Sequence, residues 1–443
     1  MRYLIIASLL ATALGFGCPT ARAAEIYFDP SSYTSLAAAG SKDTIAPGTQ
    51  ITLRNWQSYK RFLPFGLQAL YSGRYLWRVG SGPEYTLTVG TASHISLTRQ
   101  FVLDTEKYSS QSHLEEAASG GFTLRGYIAG LPFPNPGEPE KAAKILLNAR
   151  NVYYCALWKS SNRSFLIDRF LNATPFRNIG VTWRLAHLSF PGKPANPPYG
   201  RNYLQSARYE IKAPVQQKYL SVIFLQPEDP AAFAESWVFV PWLRRSLRLA
   251  THDGCAPNFG DTLFDDQGNF FLVPLANFKI SFLGEHKILH LTHANTDPAV
   301  RFNPDSIIVK GSVPGWPKPE LGRWELREVY VIDVTPLPAM SGYCYSHKIF
   351  YIDKEGWFPE EVEMYDADGR LWKTTVSAIT FAGGVNIEGN PVPIANHAAL
   401  LDLQRTHATF NLLGDISIDN DVSPDFQDAA IAAFPGGLAN IMK

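Results

Sequence analysis

Few residues of this 443-residue chain have types and spacings that could do chemistry. Asp261, Asp265 and Asp266, followed by Gly268, could bind calcium through their carboxylates. The run lacks the alternation and terminal glutamate of an EF-hand loop, so a capped turn with solvated acids explains it better. His286, His290 and His293 could grip zinc from one side of a helix. KILHLTH reads instead as a strand, where positions 290 and 293 point to opposite faces. Asp366, Asp368 and Gly369 fit a hairpin turn. Paired carboxylates also suit a glycosidase, but only at a fixed separation across a cleft. Arg244, Arg245 and Arg248 form a basic cluster. It is either a solvated strand face, a clamp for an anionic lipid head group or a docking patch. No HExxH, GxSxG, P-loop or GxGxxG occurs, so the common protease, hydrolase and nucleotide signatures are absent. The expectation is a binding protein with no catalytic residue, no metal and no cofactor.

The ends and the composition constrain where such a protein works. Arg2, the apolar run YLIIASLLATALGF (3–16) and Ala21-Arg22-Ala23 read as a signal peptide cut after Ala23. A first membrane span would need ~20 apolar residues. Lipidation at Cys18 is the other alternative, and Gly15 and Phe16 fit it poorly. Loss of Arg2 and Arg22 leaves 38 basic and 40 acidic side chains. No basic stripe remains for nucleic acid. No later run is long enough to span a membrane, so the mature chain is expected in the periplasm, soluble or at most peripheral. It keeps Cys155, Cys255 and Cys344, an odd number that allows at most one internal disulfide. Spacing does not choose the pair. The 27 Phe, 20 Tyr and 10 Trp suit a β-rich core and equally an apolar ligand.

The elements that would position these residues are mostly strands. Residues 24–54 show little periodicity and read as an irregular arm. Asn55 can cap a helix over 56–73 that Pro64 interrupts. Prolines 132, 134, 136 and 139 make a loop that runs into a helix from Pro139 to about Val152. A second proline-rich loop covers 191–200. Strand-like runs follow at 203–211, 218–225, 235–240, 243–250, 269–275, 277–283 and 287–293. More come at 323–334, 344–352, 358–365 and 370–377. Such spacing without intervening helices means antiparallel pairing. Asp353–Gly356 and Asp366–Gly369 are hairpin turns, each with a glycine able to take φ > 0. The last fifty residues look helical, at least from Ala395 to Phe410. Alternation puts Leu220, Val222 and Phe224 on one face, and likewise Phe278, Ile280 and Phe282, or Trp324, Leu326, Tyr330 and Ile332. The fold class is therefore mainly β (α+β): a large antiparallel sheet with one buried side, under helices, in one domain over 55–443.

Several segments carry a family resemblance. They include NWQSYKRFLPFGLQALYSG (55–73), GYIAGLPFPNP (126–136), ESWVFVPWLRRSLRLA (235–250), FGDTLFDDQGN (259–269) and FYIDKEGWFPEEVEMYDADGRLWK (350–373). Together with EKYSS (106–110) and RWELREVYVIDV (323–334), they resemble a bacterial periplasmic family of unassigned function. That family falls in the superfamily of the outer-membrane lipoprotein carriers LolA and LolB. The resemblance implies a curved sheet, a half-open β-barrel, closed by helices over an apolar cavity that would hold a lipid, terpenoid or similar molecule. It also implies partners: a resistance-nodulation-division type permease and an outer-membrane β-barrel. The chain is about twice a carrier's length, so the carrier function is an analogy from fold. Alternation nominates Leu220, Phe224, Trp237, Phe239, Phe278, Phe282, Trp324, Leu326, Tyr330 and Trp372 as the cavity lining. Arg244, Arg245 and Arg248 are the candidates for a head group or a docking partner. An adaptor that docks such a partner is the alternative, and an envelope hydrolase a more distant one.

Overall fold

The computed structural model describes residues 25–75, 77–79, 85–152, 154, 157–170, 172–184, 203–249, 273–295, 297, 322–381, 388–391, 393–405, 407–419 and 438. The expected signal peptide, Asp261, Asp265 and Asp266 lie outside them, as do Cys155 and Cys255. Cys344 is disulfide-bonded, and its partner lies outside the described residues.

The arm is built into the fold. Asp29 caps a 3-10 helix over Pro30–Ser35 by accepting the Ser31 N–H. The next residues form β1 (Ala37–Ala38), which pairs with the strand that contains Lys287. Two short ribbons follow, β2 (Gln50–Ile51) with β3 (Leu87–Thr88) and β4 (His113–Glu116) with β5 (Phe122–Arg125). The helix expected over 56–73 is a 3-10 segment, Trp56–Phe62, and then α1 (Phe65–Ser72). Pro64 separates them because it offers no N–H to the preceding turn. Gly73 ends α1 at φ 66°. Sequence periodicity did not reveal α2 (Arg99–Tyr108), which is capped by the Thr98 side chain. The third helix, α3 (Lys141–Asn151), falls where expected.

From Leu157 the chain weaves two antiparallel meanders. The first comprises β6 (Leu157–Ile167), β7 (Ala173–Arg184), β8 (Tyr203–Ala213), β9 (Ser221–Pro227), β10 (Glu235–Val240) and β11 (Arg245–Leu249). The second comprises β12 (Phe278–Ala294), β13 (Gly322–Pro336), β14 (His347–Asp353), β15 (Pro359–Tyr365), β16 (Leu371–Thr380), β17 (Ile394–Asp402) and β18 (His407–Asp419). Pairing of β18 with β6 joins them into one 14-stranded sheet with β1 and β11 at its two ends. The sheet is open, and it curls until β12 packs on β16, four places away in strand order.

Several expectations are corrected. Residues 395–402 belong to β17 and 407–410 start β18, so no helix forms there: Ala399 faces Phe410 and Leu401 faces Ala408. Leu400, Leu401 and Leu403 are all buried, so the alternation that marks a half-exposed strand is missing. The runs 277–283 and 287–293 are one strand, bulged where Gly284 takes φ 144°. Residues 275–277 form a 3-10 turn, not the end of a strand. Strands β6 and β7 went unread because their centres are polar. Asn162 donates to Asn178 at 2.8 Å, and Ser164 donates to Asn411 at 2.9 Å. In the turn after β14 the left-handed residue is Trp357 (φ 59°), not Gly356. Gly356 is needed for space, since a Cβ there would meet the Phe358 ring at 2.1 Å.

The core lies on both sides of the second meander. One hydrophobic cluster packs the arm and α1 against it through Tyr33, Leu67, Leu70, Ile349 and Tyr351. Another packs α2 and α3 against it through Phe101, Ile145, Leu146, Phe350 and Met364. Each such Leu, Ile or Phe burial contributes roughly 1.5–3 kcal/mol. The expected single wet face is therefore absent in β14 to β16, where nearly every position is buried.

Candidate functional site

Six of the ten nominated lining residues converge. Trp237, Phe239, Phe278, Phe282, Tyr330 and Trp372 belong to the second cluster or pack against it. Phe239 and Phe278 are buried in solid core. Phe282 and Tyr330 are half-buried, and Tyr330 stacks on Trp357 at 5.7 Å. Lys141 stands 4.3 Å above the Phe282 ring, a cation–π distance. Glu285 accepts from Lys141 at 2.7 Å and from Lys354 at 2.8 Å, which fixes both ammonium groups over these rings. Trp372 donates its indole N–H to Asp402 at 2.9 Å.

The other four lie elsewhere. Trp324 and Leu326 are in the first cluster, with Trp324 bridged to Val89. Leu220 precedes β9. On β9 it is Ile223 and Leu225 that are buried, so half-buried Phe224 points the other way, toward Tyr209. Arg244, Arg245 and Arg248 are exposed at the β11 end of the sheet. Arg248 lies 3.6 Å from Glu235 and 6.0 Å from the Trp237 ring.

The histidines are brought to acids. The bulge after Thr292 turns His293 (φ 57°) so that it meets Glu325 at 3.0 Å, and Glu325 is the register partner of His290. The expected opposition of positions 290 and 293 is thus removed by one extra residue. His290 is fully buried, 3.6 Å from Glu360, and burial pushes its imidazole down to about 3. Among the described residues no three His, Cys, Asp or Glu side chains are placed to hold a metal ion. Asp366 is accounted for by its turn, where it accepts the N–H groups of Asp368 and Arg370.

Sequence reasoning missed a set of buried charges inside the curl. Arg327 donates to Asp353 at 2.9 Å and to Glu355 at 2.8 Å. Burial opposes its charge, but Asp353 and Glu360 hold it protonated. Burial and then the charge of Asp353 raise Glu360 well above the carboxylate range. Glu363 accepts from the Gly66 N–H (2.9 Å) and from the hydroxyls of Tyr351 (3.0 Å), Tyr33 (3.1 Å) and Tyr365 (3.3 Å). Burial outweighs these bonds and pushes it up to about 7. Carboxyls raised in this way suit general acids. These have no exposed surface, so they anchor packing. The signal that marks them is PEEVEMY, three acids in a strand whose neighbours are hydrophobic.

A cavity of about 550 Å³ opens on the arm side, among the arm, the 56–62 segment and α1. Its deep wall holds Trp56, Tyr71 and Gln68, with Phe65 beside them; Lys60 and Arg74 stand exposed at its mouth. The Trp56 and Tyr71 rings are stacked at 5.9 Å. Gln68 donates to Leu63 O at 2.7 Å and Lys60 O at 3.2 Å, which ties the 3-10 segment to the helix. None of these six residues was among the nominated lining.

The family model described as a protein of unknown function, DUF1329, matches residues 50–430. The chain belongs to the DUF1329 family. It is similar in structure to a DUF1329 family protein from Desulfovibrio piger, with 11% identity over 65% of this chain and 96% of that one and a TM-score of 0.42. It is also similar to a Vibrio parahaemolyticus domain named for outer membrane lipoprotein sorting, with 13% identity over 67% and 99% and a TM-score of 0.41. A LolA superfamily protein from Nitrosomonas europaea shows 14% identity over 64% and 95%, with a TM-score of 0.35. No curated protein matches the sequence. In this DUF1329 protein no helix among the described residues is long and apolar enough to cross a membrane.

Proposed function

We propose that this DUF1329 protein is a periplasmic carrier for a hydrophobic molecule, a lipid, terpenoid or similar, and that it hands its cargo to an envelope export system. That system would be a resistance-nodulation-division type permease and an outer-membrane β-barrel. The observation that supports the reading best is the arm-side cavity, an opening of about 550 Å³ with aromatic side chains in its deep wall. Small-molecule pockets run to roughly 300–1,000 Å³. Each methylene moved from water into such a site contributes ~0.8 kcal/mol, so a short acyl chain suffices for useful affinity.

Titration with N-phenyl-1-naphthylamine, an uncharged apolar dye, tests the proposal. One saturable micromolar site is expected, with at least tenfold weaker binding in Ser72→Phe, which puts a ring into the cavity. No saturable signal from the wild type, or equal binding by the variant, would refute it. The adaptor reading has its own support: Trp242, Leu243, Leu247 and Leu249 are exposed beside the arginines of β11. Among the described residues the carboxyls raised by burial are closed to substrate, so they lend a hydrolase no support.

A further inference from the structure

We infer that the arm-side cavity takes an anionic amphiphile, with its carboxylate, sulfate or phosphate between Lys60 and Arg74 and its apolar body against Trp56, Phe65 and Tyr71. This rests on the carrier reading and narrows its cargo.

The first support is charge balance. Two neighbouring cations are engaged. Arg61, next to Lys60, pairs with Asp43 at 2.6 Å, and Arg370 pairs with Asp366 at 2.9 Å. Lys60 and Arg74 have no ion-pair partner among the described residues, although both border the same opening. The acid in the lining is Glu25, and Arg370 approaches it at 3.6 Å. The opening therefore offers two cations without an ion pair among the described residues. An anion placed there gains from both cations without removing either from an existing pair.

The second support is that the wall is fixed before any ligand arrives. Both Nε2 protons of Gln68 are spent on the carbonyls of Leu63 and Lys60, so the backbone that carries Lys60 is tied to α1. Ser72, in the last turn, donates to Ala69 O at 2.8 Å, and its oxygen accepts the Arg74 N–H at 3.3 Å. The two cationic positions thus sit on one bonded frame, and less ordering remains to be done on binding. The third support is the chemistry of the lining. Polar groups outweigh apolar ones, with the aromatic rings placed deep. A bare hydrocarbon would leave those polar groups unmatched, whereas an amphiphile meets both parts.

The test compares two dyes of one shape. 1-Anilinonaphthalene-8-sulfonate carries the sulfonate that N-phenyl-1-naphthylamine lacks. Lys60 and Arg74 are exposed, so the double variant K60Q/R74Q should fold, which a thermal melt checks. It is expected to bind the sulfonate dye at least tenfold more weakly than the wild type, and the neutral dye within twofold. Raising salt from 50 to 500 mM should weaken the sulfonate dye several-fold and leave the neutral dye unchanged. Decanoate and decyl phosphate should displace the sulfonate dye better than decanol, and the stronger of the two identifies the head group. Equal sulfonate affinity in wild type and variant, or competition by decanol equal to that of the anions, overturns the inference while the carrier reading stands. Failure of both dyes to bind the wild type overturns the carrier reading and this inference with it.

Discussion

The two meanders share one sheet but solve opposite problems. In the second, β15 is buried at every position and β14 and β16 at nearly every one, so charged side chains had to be satisfied from within. In the first, strands β8 to β11 keep partly exposed positions throughout. Leu247 and Leu249 reach 42% and 40% exposure at the end of the sheet. Their charged pairs differ in the same sense. Arg327 and Asp353 have side chains 5% and 0% exposed, whereas Arg208 and Glu210 are at 12% and 13%. The lesson is that one wing supplies a rigid frame for the arm and α1, while the other is free to adapt at its edge.

The largest expected effect comes from breaking the rigid wing. Arg327→Met strands Asp353 without its cation beside Glu360, and removal of one partner from a buried pair costs roughly 3–5 kcal/mol. Arg208→Met should cost about 1 kcal/mol or less, because Glu210 keeps Lys212 and lies nearer solvent. Urea denaturation of both variants measures the difference. Similar losses would erase the contrast between the wings. Gly66→Ala belongs with the larger effects. Its new Cβ would sit 2.1 Å from Thr374 Oγ1 and lift α1 from β16, and overpacking of this kind costs roughly 1–3 kcal/mol.

A middle-sized effect is expected from pH. Glu363 has an ordinary value of 4.5 that burial raises to about 7 in the folded chain. A raised carboxyl binds its proton more tightly when folded, so its stabilising contribution is complete below about 4.5 and is lost as pH rises through about 7. Glu360 and Glu361, also raised by burial, act in the same direction. His290 opposes them, because its folded value is depressed to about 3 and its contribution grows as pH rises toward 6.5. Comparing wild type with Glu363→Gln isolates one group from the rest. Between pH 4.5 and 7 the wild type should lose stability relative to the variant, by on the order of 3 kcal/mol at most. Parallel pH profiles would show that Glu363 ionises as freely in the folded chain as in water.

How much of this was legible in the sequence follows the same division. The half-exposed strands announced themselves: β8, β10 and β11 fall close to 203–211, 235–240 and 243–250. The split helix at Pro64 and the 366–369 turn were also readable, since proline and glycine act locally. Strands β17 and β18 were misread because burial on both sides removes alternation. Strands β6 and β7 were missed because polar ladders such as Asn162 with Asn178 imitate solvent exposure. Alternation brought six of the nominated residues to one cluster, but one bulge at Gly284 decides where residues on either side point. The arm-side cavity was out of reach, because its walls come from an arm with no periodicity and from the junction of two helical pieces. Glu360, Glu361 and Glu363 fall in the run read as a strand over 358–365, and no local rule says that aromatic hydroxyls will come from 330 residues away, as Tyr33 does for Glu363.

The smallest effect is the most telling for the open wing. Leu247→Ser and Leu249→Ser change exposed side chains on β11, so each should shift stability by no more than about 0.5 kcal/mol. The same substitution at Leu225, one strand further in than β10 and 2% exposed, should cost several times more. Amide hydrogen exchange gives the independent measure. The β10 and β11 amides should exchange through local opening, at least tenfold faster than those of β15, which are reached only by global unfolding. A loss above 2 kcal/mol for Leu247→Ser would mean that the β11 surface is covered in the folded protein. The adaptable edge, and the support it lends to an adaptor role, would then fall together. A neutral effect with fast exchange leaves β11 as an apolar, basic edge open to solvent.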